Sequence, residues 1–512
     1  MKPPLKALLD QFWVALVAVF LLFCPYLASF TDDENRYCFL WGRSDMALIL
    51  AATLLGAAVS VGIKRLVRRT GNRVLNRLFN HLFLLALVVA AAGNLAHLFP
   101  GYVNHPALFM LCWGLALAIL AASWWRGSDR IVWLGVQVCK IMTPIVPIVC
   151  ITAFMYPSYA SSPEALLNAT GPARAGATGV YVFVFDEWSY TRCFEEGRVS
   201  RQFQNLAAFA DQAILFQNAR STGDDTLVSM PRLLFRTDLS PCRAGGRQGF
   251  ERNGRFLPSS EMQSVFDRAA KNGYRGLMAG FLMNYRLLLG PTPLFCRSFK
   301  HDPSSESLPG RLLWHCWDAA RQWPIPFWRD AYDGLYRRLY SRHWADINCR
   351  VHALALSTIR HQPNNTFAVF HYPLPHAPFI FDQSGYKGSY SGKRMDNDPV
   401  GYAGNLAYLD TVIGEIVAVF KESGKYDRSV IAFTSDHGWK ADPDTTPQGD
   451  VPPVLHVPLL IRIPHESRQT KIATQFDLAH LGDLAFDCLL KGSGPEEVAS
   501  FARAQCGQSA TP

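Results

Sequence analysis

The sequence predicts an α/β protein in which an N-terminal five-helix transmembrane domain precedes an α/β sandwich with a mostly parallel central sheet. Two observations lead to this prediction. The first 157 of the 512 residues carry long apolar runs, whereas the rest has the composition of an ordinary globular chain. Further along, apolar strand-like runs alternate with helix-like segments, which is the pattern of an α/β fold. We therefore predict a transmembrane domain at 1–157, a linker at 158–179, a second domain at 180–490 and a C-terminal tail at 491–512.

Five apolar runs are long enough to cross a bilayer, because a spanning helix needs roughly 20 residues. They cover approximately residues 12–30, 46–63, 78–99, 107–125 and 131–156. The first run is followed by further spans and ends without a clear small-residue cleavage site. We therefore interpret it as a membrane span rather than a cleavable signal peptide. A buried helical core is the alternative interpretation of the five runs.

Positive charge is concentrated between the second and third apolar runs. This segment holds much of the formal net charge of +9, in the residues Lys64, Arg65, Arg68, Arg69, Arg73 and Arg77. Basic residues collect in the cytoplasmic loops of membrane proteins, and here they recur in every second loop. The N-terminus is therefore predicted to be cytoplasmic and the second domain extracytoplasmic. Because the membrane topology explains the charge, no nucleic-acid partner is predicted.

The cysteines agree with this topology. Four lie in apolar runs, where cysteine behaves as a small apolar residue. The other eight fall on the predicted outer side and are Cys38, Cys193, Cys242, Cys296, Cys316, Cys349, Cys488 and Cys506. An even number of cysteines in an oxidising compartment permits up to four disulfides, but the sequence does not define their pairing.

Regular elements alternate along the second domain. The residue pattern predicts strands at 180–185, 275–281, 366–371, 429–434 and 456–463, and helices at 260–272 and 405–423. The first strand is an unbroken run of β-branched and aromatic residues. A run that is apolar on both faces indicates a central parallel strand, buried on both sides.

Two of these strands end in side chains that can bind a metal ion. Asp186 and Glu187 follow the first strand, and Asp436 and His437 follow the strand at 429–434. Ligands of open α/β sheets bind at the carboxyl ends of the strands. Each pair alone is more typical of a helix cap or turn. Together they provide three carboxylates and an imidazole, which is enough to hold a divalent cation and relieve the repulsion between the carboxylates.

Thr226 lies at the predicted start of a helix, directly after a turn rich in Gly and Asp. Free backbone N–H groups and the helix dipole favour an anion at such a place. A hydroxyl group that is coordinated to a metal there can ionise and act as a nucleophile. The simpler interpretation is that Thr226 only caps the helix.

Several segments resemble, in order, the sulfatase-like hydrolases and transferases of the alkaline phosphatase superfamily. They are the strand before Asp186, residues 218–231, the turn at 375–379, the helix and strand at 408–438, and residues 457–462. The resemblance spans about residues 180–464, and its most specific part is the Ser-Asp-His-Gly turn that ends at Gly438. The five apolar runs before this domain are similar to those of the phosphoethanolamine transferases and lipoteichoic acid synthases. The resemblance implies an alkaline-phosphatase/sulfatase-like sandwich.

The resemblance also implies roles for the matching residues. Thr226 matches the nucleophile, because the segment Gly-Asp-Asp-Thr-Leu-Val-Ser-Met-Pro fits the transferase pattern Gly-x-x-Thr-x-x-Ser-x-Pro. The implied metal ligands are Glu187 or Asp186, Asp436, His437 and Thr226 itself. Mixed oxygen and nitrogen ligation without thiolate suits Zn²⁺ first and Mn²⁺ second. His376 and His456 resemble the histidines that contact the substrate phosphate or the leaving group, whereas His371 is interpreted as a structural strand residue.

The chain also departs from true sulfatases. Thr226 stands where sulfatases convert Cys or Ser to formylglycine, and His437 stands where their calcium site has Asn. We therefore favour a transferase that moves phosphoethanolamine or phosphoglycerol from a phospholipid donor, through Thr226, to an envelope glycan or lipid acceptor. A sulfatase or phosphoesterase of extracytoplasmic esters and a catalytically inactive binding module are the alternatives. The resemblance implies a multi-pass protein of the bacterial cytoplasmic membrane, with the catalytic domain in the periplasm or outside the cell.

Overall fold

The computed structural model describes residues 3–29, 42–98, 106–126, 129–155, 178–244, 247–290, 292, 294–300, 307–323, 325, 328–388, 397–442 and 452–506. These residues form two compact units. One contains the N-terminal helices and a helix from the middle of the sequence, and the other contains the strands. Most of the predicted linker at 158–179 lies outside the described residues.

Long apolar helices form the first unit. They are α1 (Pro3–Ser29), α2 (Arg43–Arg69), α3 (Arg73–Leu98), α4 (Pro106–Arg126), α5 (Asp129–Ile141) and α6 (Ile145–Met155). By length and composition, Leu5–Ala28, Arg43–Arg69, Arg73–Ala96 and Arg130–Ile151 could each cross a membrane. The fifth predicted span is divided into α5 and α6, because Pro144 lacks the N–H that an uninterrupted helix would use. The prediction of five apolar N-terminal stretches is confirmed.

A helix from a distant part of the sequence also packs in this unit. Arg311 on the helix Leu308–Arg321 forms an ion pair with the buried Asp45 of α2. His315 on the same helix lies with its Nε2 3.0 Å from Asp45 Oδ1 and its Nδ1 2.7 Å from the hydroxyl of Tyr26. The helix is therefore held to the first unit by buried polar contacts, which the sequence alone does not indicate.

The second unit contains the strands and the remaining helices. The strands are β1 (Gly179–Phe185), β2 (Phe194–Glu195), β3 (Arg198–Val199), β4 (Ile214–Phe216), β5 (Ala219–Arg220), β6 (Ser240–Ala244), β7 (Arg247–Arg252), β8 (Arg255–Pro258), β9 (Arg275–Phe281), β10 (Leu294–Phe299), β11 (Thr366–Tyr372), β12 (Phe381–Asp382), β13 (Gly385–Tyr386), β14 (Ser429–Ser435), β15 (Leu459–Arg462), β16 (Thr470–Ile472) and β17 (Phe476–Asp477). The later helices of the chain are α7 (Gln204–Ala210), α8 (Thr226–Phe235), α9 (Val265–Lys271), α10 (Tyr285–Leu289), α11 (Leu308–Arg321), α12 (Trp328–His361), α13 (Pro399–Glu422), α14 (Leu481–Asp487) and α15 (Pro495–Gln505). Of these, α11 and the start of α12, up to Tyr336, belong to the first unit.

Eight strands form the central sheet, in the order β10–β9–β11–β1–β14–β15–β4–β16. The five strands from β10 to β14 run parallel to one another, and β15 is antiparallel to both of its neighbours. All seven residues of β1 are buried. The predicted mixed fold with a mostly parallel sheet is therefore confirmed, with β1 at its centre.

Both faces of the sheet are covered, which explains why β1 is apolar on both sides. Alternate residues of a strand point to opposite faces. Val180, Val182 and Val184 join one large apolar core. Tyr181 faces the other way, and its ring contacts Phe420 of α13 edge to face, with centroids 5.0 Å apart. Helix α13 is as long and apolar as a membrane span, but it packs in this unit.

The predicted elements agree closely with those observed where the pattern is strong. The strand at 275–281 is found with the predicted bounds. The helix predicted at 260–272 is shorter, because Ser264 and Asp267 form a capping box that starts α9 at Val265. The small sheet β6–β7–β8 was not predicted, because its arginine- and glycine-rich sequence lacks a clear apolar alternation. No disulfide joins the ten cysteines that the structure describes.

Candidate metal and nucleophile site

The register of the central sheet brings two carboxylates together. Strands β1 and β14 are parallel, and Phe185 pairs with Ser435. The next residue of each strand is an aspartate, so Asp186 and Asp436 lie side by side at the carboxyl edge of the sheet. Both are almost completely buried. Two buried carboxylates repel each other unless a positive charge lies between or beside them.

Thr226 reaches the same point from the start of α8. Asp225 is the N-cap residue, and its Oδ1 accepts a hydrogen bond of 2.8 Å from the N–H of Leu227. Thr226 is therefore the first helical residue, and its hydroxyl donates a 2.7 Å hydrogen bond to Asp436 Oδ2. Its Oγ1 also lies 3.4 Å from Asp186 Oδ1. The nucleophile predicted from the sequence thus contacts both carboxylates.

His437 completes the cluster. Its Nδ1 lies 2.8 Å from the carbonyl oxygen of Gly438, which can only accept a hydrogen bond, so Nδ1 carries a proton. When the ring is neutral, the Nε2 lone pair faces the cluster, 3.4 Å from Thr226 Oγ1 and 3.6 Å from Asp186 Oδ1. A backbone carbonyl that fixes the tautomer in this way is the usual partner of a metal-binding histidine.

The donor set fits a divalent cation. Ligand atoms of Asp186, Asp436 and His437 all lie within 4.8 Å of one another. The Oδ2 atom of Asp186 is buried and has no hydrogen-bond partner among the described residues. Such an unsatisfied carboxylate oxygen is costly unless an ion compensates it. Two carboxylates, an imidazole and a hydroxyl in one buried place can therefore hold one metal ion.

The electrostatics of the two carboxylates differ. Burial, followed by the negative charges of Asp436 and Glu187, raises the pKa of Asp186 well above its usual value. Burial also opposes the charge of Asp436, but His437, His371 and the Thr226 hydrogen bond together lower its pKa. Asp436 is therefore the carboxylate that stays ionised most easily, and Asp186 is the one whose charge most needs a cation.

Glu187 does not belong to the group of close ligand atoms. It follows β1 in a left-handed backbone conformation with φ of 62°, which turns the chain sharply. Its backbone N–H donates to Asp436 Oδ1 at 3.2 Å, and its carbonyl accepts a 2.6 Å hydrogen bond from Tyr402. Of the two adjacent carboxylates, the structure brings Asp186 and not Glu187 into contact with Thr226.

His376 lies beside the end of β1. Its backbone N–H donates to the carbonyl of Asp186 at 3.1 Å. Its Nδ1 lies 2.5 Å from the carbonyl of Ala377, so this nitrogen is the donor. The side chain is partly exposed, and its contact with a substrate stays a prediction.

The contacts described for His456 lie elsewhere. Its Nε2 donates to the carbonyl of Gln217 at 3.0 Å, and its ring stacks on Tyr190 with centroids 4.1 Å apart. Burial lowers its pKa. The Nδ1 atom is buried without a partner among the described residues. Among these contacts none joins His456 to Thr226, so its assignment to substrate binding stays a prediction.

Lys440 is a charged residue of the site that the sequence did not single out. Its Nζ lies 2.5 Å from Oδ2 of Asp225, the residue directly before Thr226. Burial lowers its pKa, but Asp225, Glu187 and Asp186 outweigh this and raise the pKa overall. Its position three residues after His437, on the segment that leaves the sheet edge, is the signal that could have identified it.

One family model and several solved structures are similar to parts of this chain. The sulfatase family model matches residues 318–488, which include Asp436 and His437. Similar solved structures include a phosphonate monoester hydrolase of Agrobacterium radiobacter, with 17% identity, 62% of this chain and 78% of that chain covered, and a TM-score of 0.39. Another is a phosphonate monoester hydrolase from Silicibacter pomeroyi, with 17% identity, coverage of 60% and 72%, and a TM-score of 0.40.

A 2-O GAG sulfatase is also similar, with 10% identity, coverage of 65% of this chain and 76% of that chain, and a TM-score of 0.42. No curated protein sequence matches the chain. The family-model match includes the Asp-His pair at the end of β14. Over residues 318–488 the chain is therefore similar to the sulfatase family.

Proposed function

We propose that this chain is a membrane-bound, cation-dependent transferase that moves a phospho-substituent from a phospholipid, through Thr226, to an envelope glycan or lipid. The observation that carries the proposal is the position of Thr226 Oγ1. It lies 2.7 Å from Asp436 Oδ2 and 3.4 Å from both Asp186 Oδ1 and His437 Nε2. A helix cap that serves only structure has no reason to contact three potential metal ligands.

The protein can activate this hydroxyl through its own groups. The Thr226 proton already points to Asp436 Oδ2, which can receive it as the oxygen attacks phosphorus. The start of α8 provides a positive dipole end for the phosphoryl oxygens. Lys440 adds a full positive charge nearby. To bind the substrate, its ammonium group would leave its ion pair with Asp225.

Asp186, Asp436, His437 and Thr226 would hold the cation, with Zn²⁺ as the first expectation and Mn²⁺ as the second. When bound, such an ion lowers the pKa of a coordinated hydroxyl and binds a phosphoryl oxygen. Asp436 Oδ1 accepts the backbone N–H groups of His437 and Glu187, which fixes the carboxylate orientation. Preorganised ligands of this kind need no rearrangement during the reaction.

The proposed reaction has two balanced halves. In the first, a bond forms between Thr226 Oγ1 and phosphorus while the ester bond to the lipid oxygen breaks, and His376 Nε2 delivers a proton to that leaving oxygen. In the second, an acceptor hydroxyl gives its proton to His376 and attacks the same phosphorus. As the bond between phosphorus and Thr226 Oγ1 breaks, Asp436 returns to that oxygen the proton it received in the first half, so Thr226 is ready for the next donor. The phospho-substituent is thus transferred without net oxidation or reduction.

The N-terminal helices support a lipid donor. Apolar helices long enough to span a bilayer precede the catalytic unit. An anchored enzyme and its lipid substrate share one membrane, which raises their effective concentration. We propose that the catalytic unit lies on the outer side of the bacterial cytoplasmic membrane, because the basic loop between α2 and α3 favours the cytoplasm.

Hydrolysis of sulfate or phosphate esters is the second candidate. The match to the sulfatase family model favours it. In this case water, rather than an acceptor hydroxyl, would release the group from Thr226. The two candidates share the nucleophile and the cation and differ only in the second half of the reaction.

The experiment that tests the proposal compares Thr226→Ala with Thr358→Ala. Thr358 is a buried threonine of α12 whose hydroxyl donates a 2.7 Å hydrogen bond to the carbonyl of Leu354, so its loss controls for general destabilisation. Mass spectrometry of envelope glycans and lipids should show loss of a phospho-substituent with Thr226→Ala alone. The rate of transfer should fall on the order of 10³-fold or more. Intact-protein mass spectrometry with a phospholipid donor should detect the group on Thr226.

An unchanged envelope combined with lost ester hydrolysis in vitro would favour the hydrolase. If both variants keep the transferred group on the envelope and on the protein, Thr226 is not the nucleophile and the proposal fails.

A further inference from the structure

A completely buried histidine lies beside the cluster without being part of it. His371 is on β11, and its Nε2 lies 3.8 Å from Asp436 Oδ2. This distance is longer than a hydrogen bond. The Nε2 atom has no hydrogen-bond partner among the described residues. The Nδ1 atom lies 2.6 Å from the hydroxyl of Tyr285.

The backbone around β11 leaves space for the rings of His371 and Tyr285 to lie side by side. His371 stands opposite Val184 of β1 on one side and Gly280 of β9 on the other. A Cβ atom at position 280 would lie 2.8 Å from His371 Cβ and 2.8 Å from a ring carbon of Tyr285. Only glycine therefore leaves room for both rings. The backbone N–H of Tyr285 is held in turn by Ser298 Oγ at 3.0 Å.

We propose that His371 is a positioning residue of the reactive site and that Tyr285 sets its tautomer. Because the carboxylate oxygen Asp436 Oδ2 can only accept, the ring proton of His371 belongs on Nε2, and the Tyr285 hydroxyl then donates to Nδ1. The same Oδ2 oxygen accepts the hydrogen bond of Thr226. The inference rests on the proposed function, because it gives Asp436 the roles of cation ligand and partner of the nucleophile.

The physical effect is to hold one carboxylate orientation. The N–H groups of His437 and Glu187 fix Asp436 Oδ1, and the N–H of His371 attracts Oδ2. With both oxygens held, Oδ2 stays directed at Thr226 and at the cation position. Partners of this kind, which touch a ligand and not the metal, typically change metal affinity by about 10–100-fold when they are removed.

The chain provides a matched control on the opposite face of β11. Tyr372 is the next residue of the strand, and its hydroxyl lies 3.2 Å from Nδ1 of His352. The Nε2 atom of His352 lies 2.7 Å from Glu415. The control group therefore has the same three residue types, tyrosine, histidine and carboxylate, but it is not part of the cluster around Thr226.

The experiment measures binding of Zn²⁺ alone by the full-length protein, purified in detergent, through competition with a chelator. His371→Leu should weaken binding about 10–100-fold, whereas His352→Leu should leave it unchanged. His371→Gln keeps an N–H donor near the position of Nε2 and should recover most of the affinity. Tyr285→Phe removes one oxygen atom and should weaken binding by a smaller factor in the same direction.

Thermal unfolding of each metal-free variant checks that the fold is retained. If His371→Leu does not unfold cooperatively, the Zn²⁺ affinity of Tyr285→Phe becomes the test of the inference, because this variant keeps the aromatic ring at position 285. If His371→Leu folds and binds Zn²⁺ as tightly as the wild type, the inference is overturned and the proposed function stays intact. The same holds for wild-type Zn²⁺ affinity in Tyr285→Phe when that variant serves as the test. Equal losses in His371→Leu, His371→Gln and His352→Leu would indicate general loosening and also overturn it. A wild-type protein that binds no Zn²⁺ or Mn²⁺ would overturn both proposals.

Discussion

The two faces of β11 carry the same three kinds of side chain in opposite conditions. On one face, Tyr285, His371 and Asp436 are completely buried, and the histidine is 3.8 Å from the carboxylate. On the other face, His352 contacts Glu415 at 2.7 Å, and the Glu415 side chain is 56% exposed. Burial lowers the pKa of both histidines, to about 4 in the case of His371.

The difference distinguishes the candidate site from a structural group of the same composition. The outer group consists of Tyr372, His352 and Glu415; its histidine is hydrogen-bonded on both nitrogens, and its carboxylate is partly solvated. The inner group consists of Tyr285, His371 and Asp436. Here His371 Nε2, and Oδ2 of the neighbouring Asp186, are buried without a hydrogen-bond partner among the described residues. Two such atoms beside Thr226 indicate that the cluster needs a ligand to satisfy them.

The largest difference between the two faces is expected when each carboxylate is replaced by its amide. Asp436→Asn should abolish cation binding and lower the transfer rate on the order of 10³-fold, because it removes a metal ligand and the acceptor of the Thr226 proton. Glu415→Gln should leave both properties unchanged. Metal analysis by mass spectrometry and transfer assays check this. Equal losses in the two variants would show that the faces do not differ in function.

A lysine should affect the KM for an anionic ester only if it lies near the cluster of Asp186, Asp436 and His437. Lys440→Gln should raise the KM for an anionic ester by about tenfold, because a charge-assisted contact to the substrate is lost. Lys421 on α13, the helix that carries Glu415, provides the control, and Lys421→Gln should not change the KM. Steady-state kinetics with a soluble phosphodiester measures both. A KM that stays at the wild-type value in Lys440→Gln would remove Lys440 from the site.

A stability measurement sharpens the contrast in a different way. Asp186→Asn removes a buried charge that is unsatisfied without a cation, so it should stabilise the metal-free protein on the order of 1 kcal/mol. Glu415→Gln should change the free energy of unfolding by less than about 0.5 kcal/mol. Urea unfolding in the presence of a chelator checks both. Destabilisation by Asp186→Asn would mean that its charge is already compensated by the protein.

The smallest expected effect is on the pH dependence of stability. The raised pKa of Asp186 means that the folded protein binds this proton more tightly than the unfolded chain. The stabilisation that Asp186 contributes to the free energy of unfolding is therefore fully present below the ordinary aspartate pKa, and it is lost as the pH rises through the raised pKa. Metal-free wild type should lose stability relative to Asp186→Asn between about pH 4 and the raised pKa. Parallel unfolding curves for the two proteins over this range would contradict the direction of the shift.

Local residue patterns were sufficient to predict several elements of the fold. The apolar run of β1, the strand that ends at Ser435 and the helix start at Thr226 are all visible as residue types at short spacing. Parallel strands meet at one edge of a sheet, so the ends of β1 and β14 predict a cation site before any coordinates exist.

Tertiary structure decided which side chains meet at that edge. The left-handed turn at Glu187 selects Asp186 for the cluster, and the order of strands in the sheet puts His371 beside Asp436. Tertiary structure also determines that His456 contacts Gln217 and Tyr190. These outcomes depend on backbone angles and on pairings between residues far apart in the chain, and a local residue pattern contains neither.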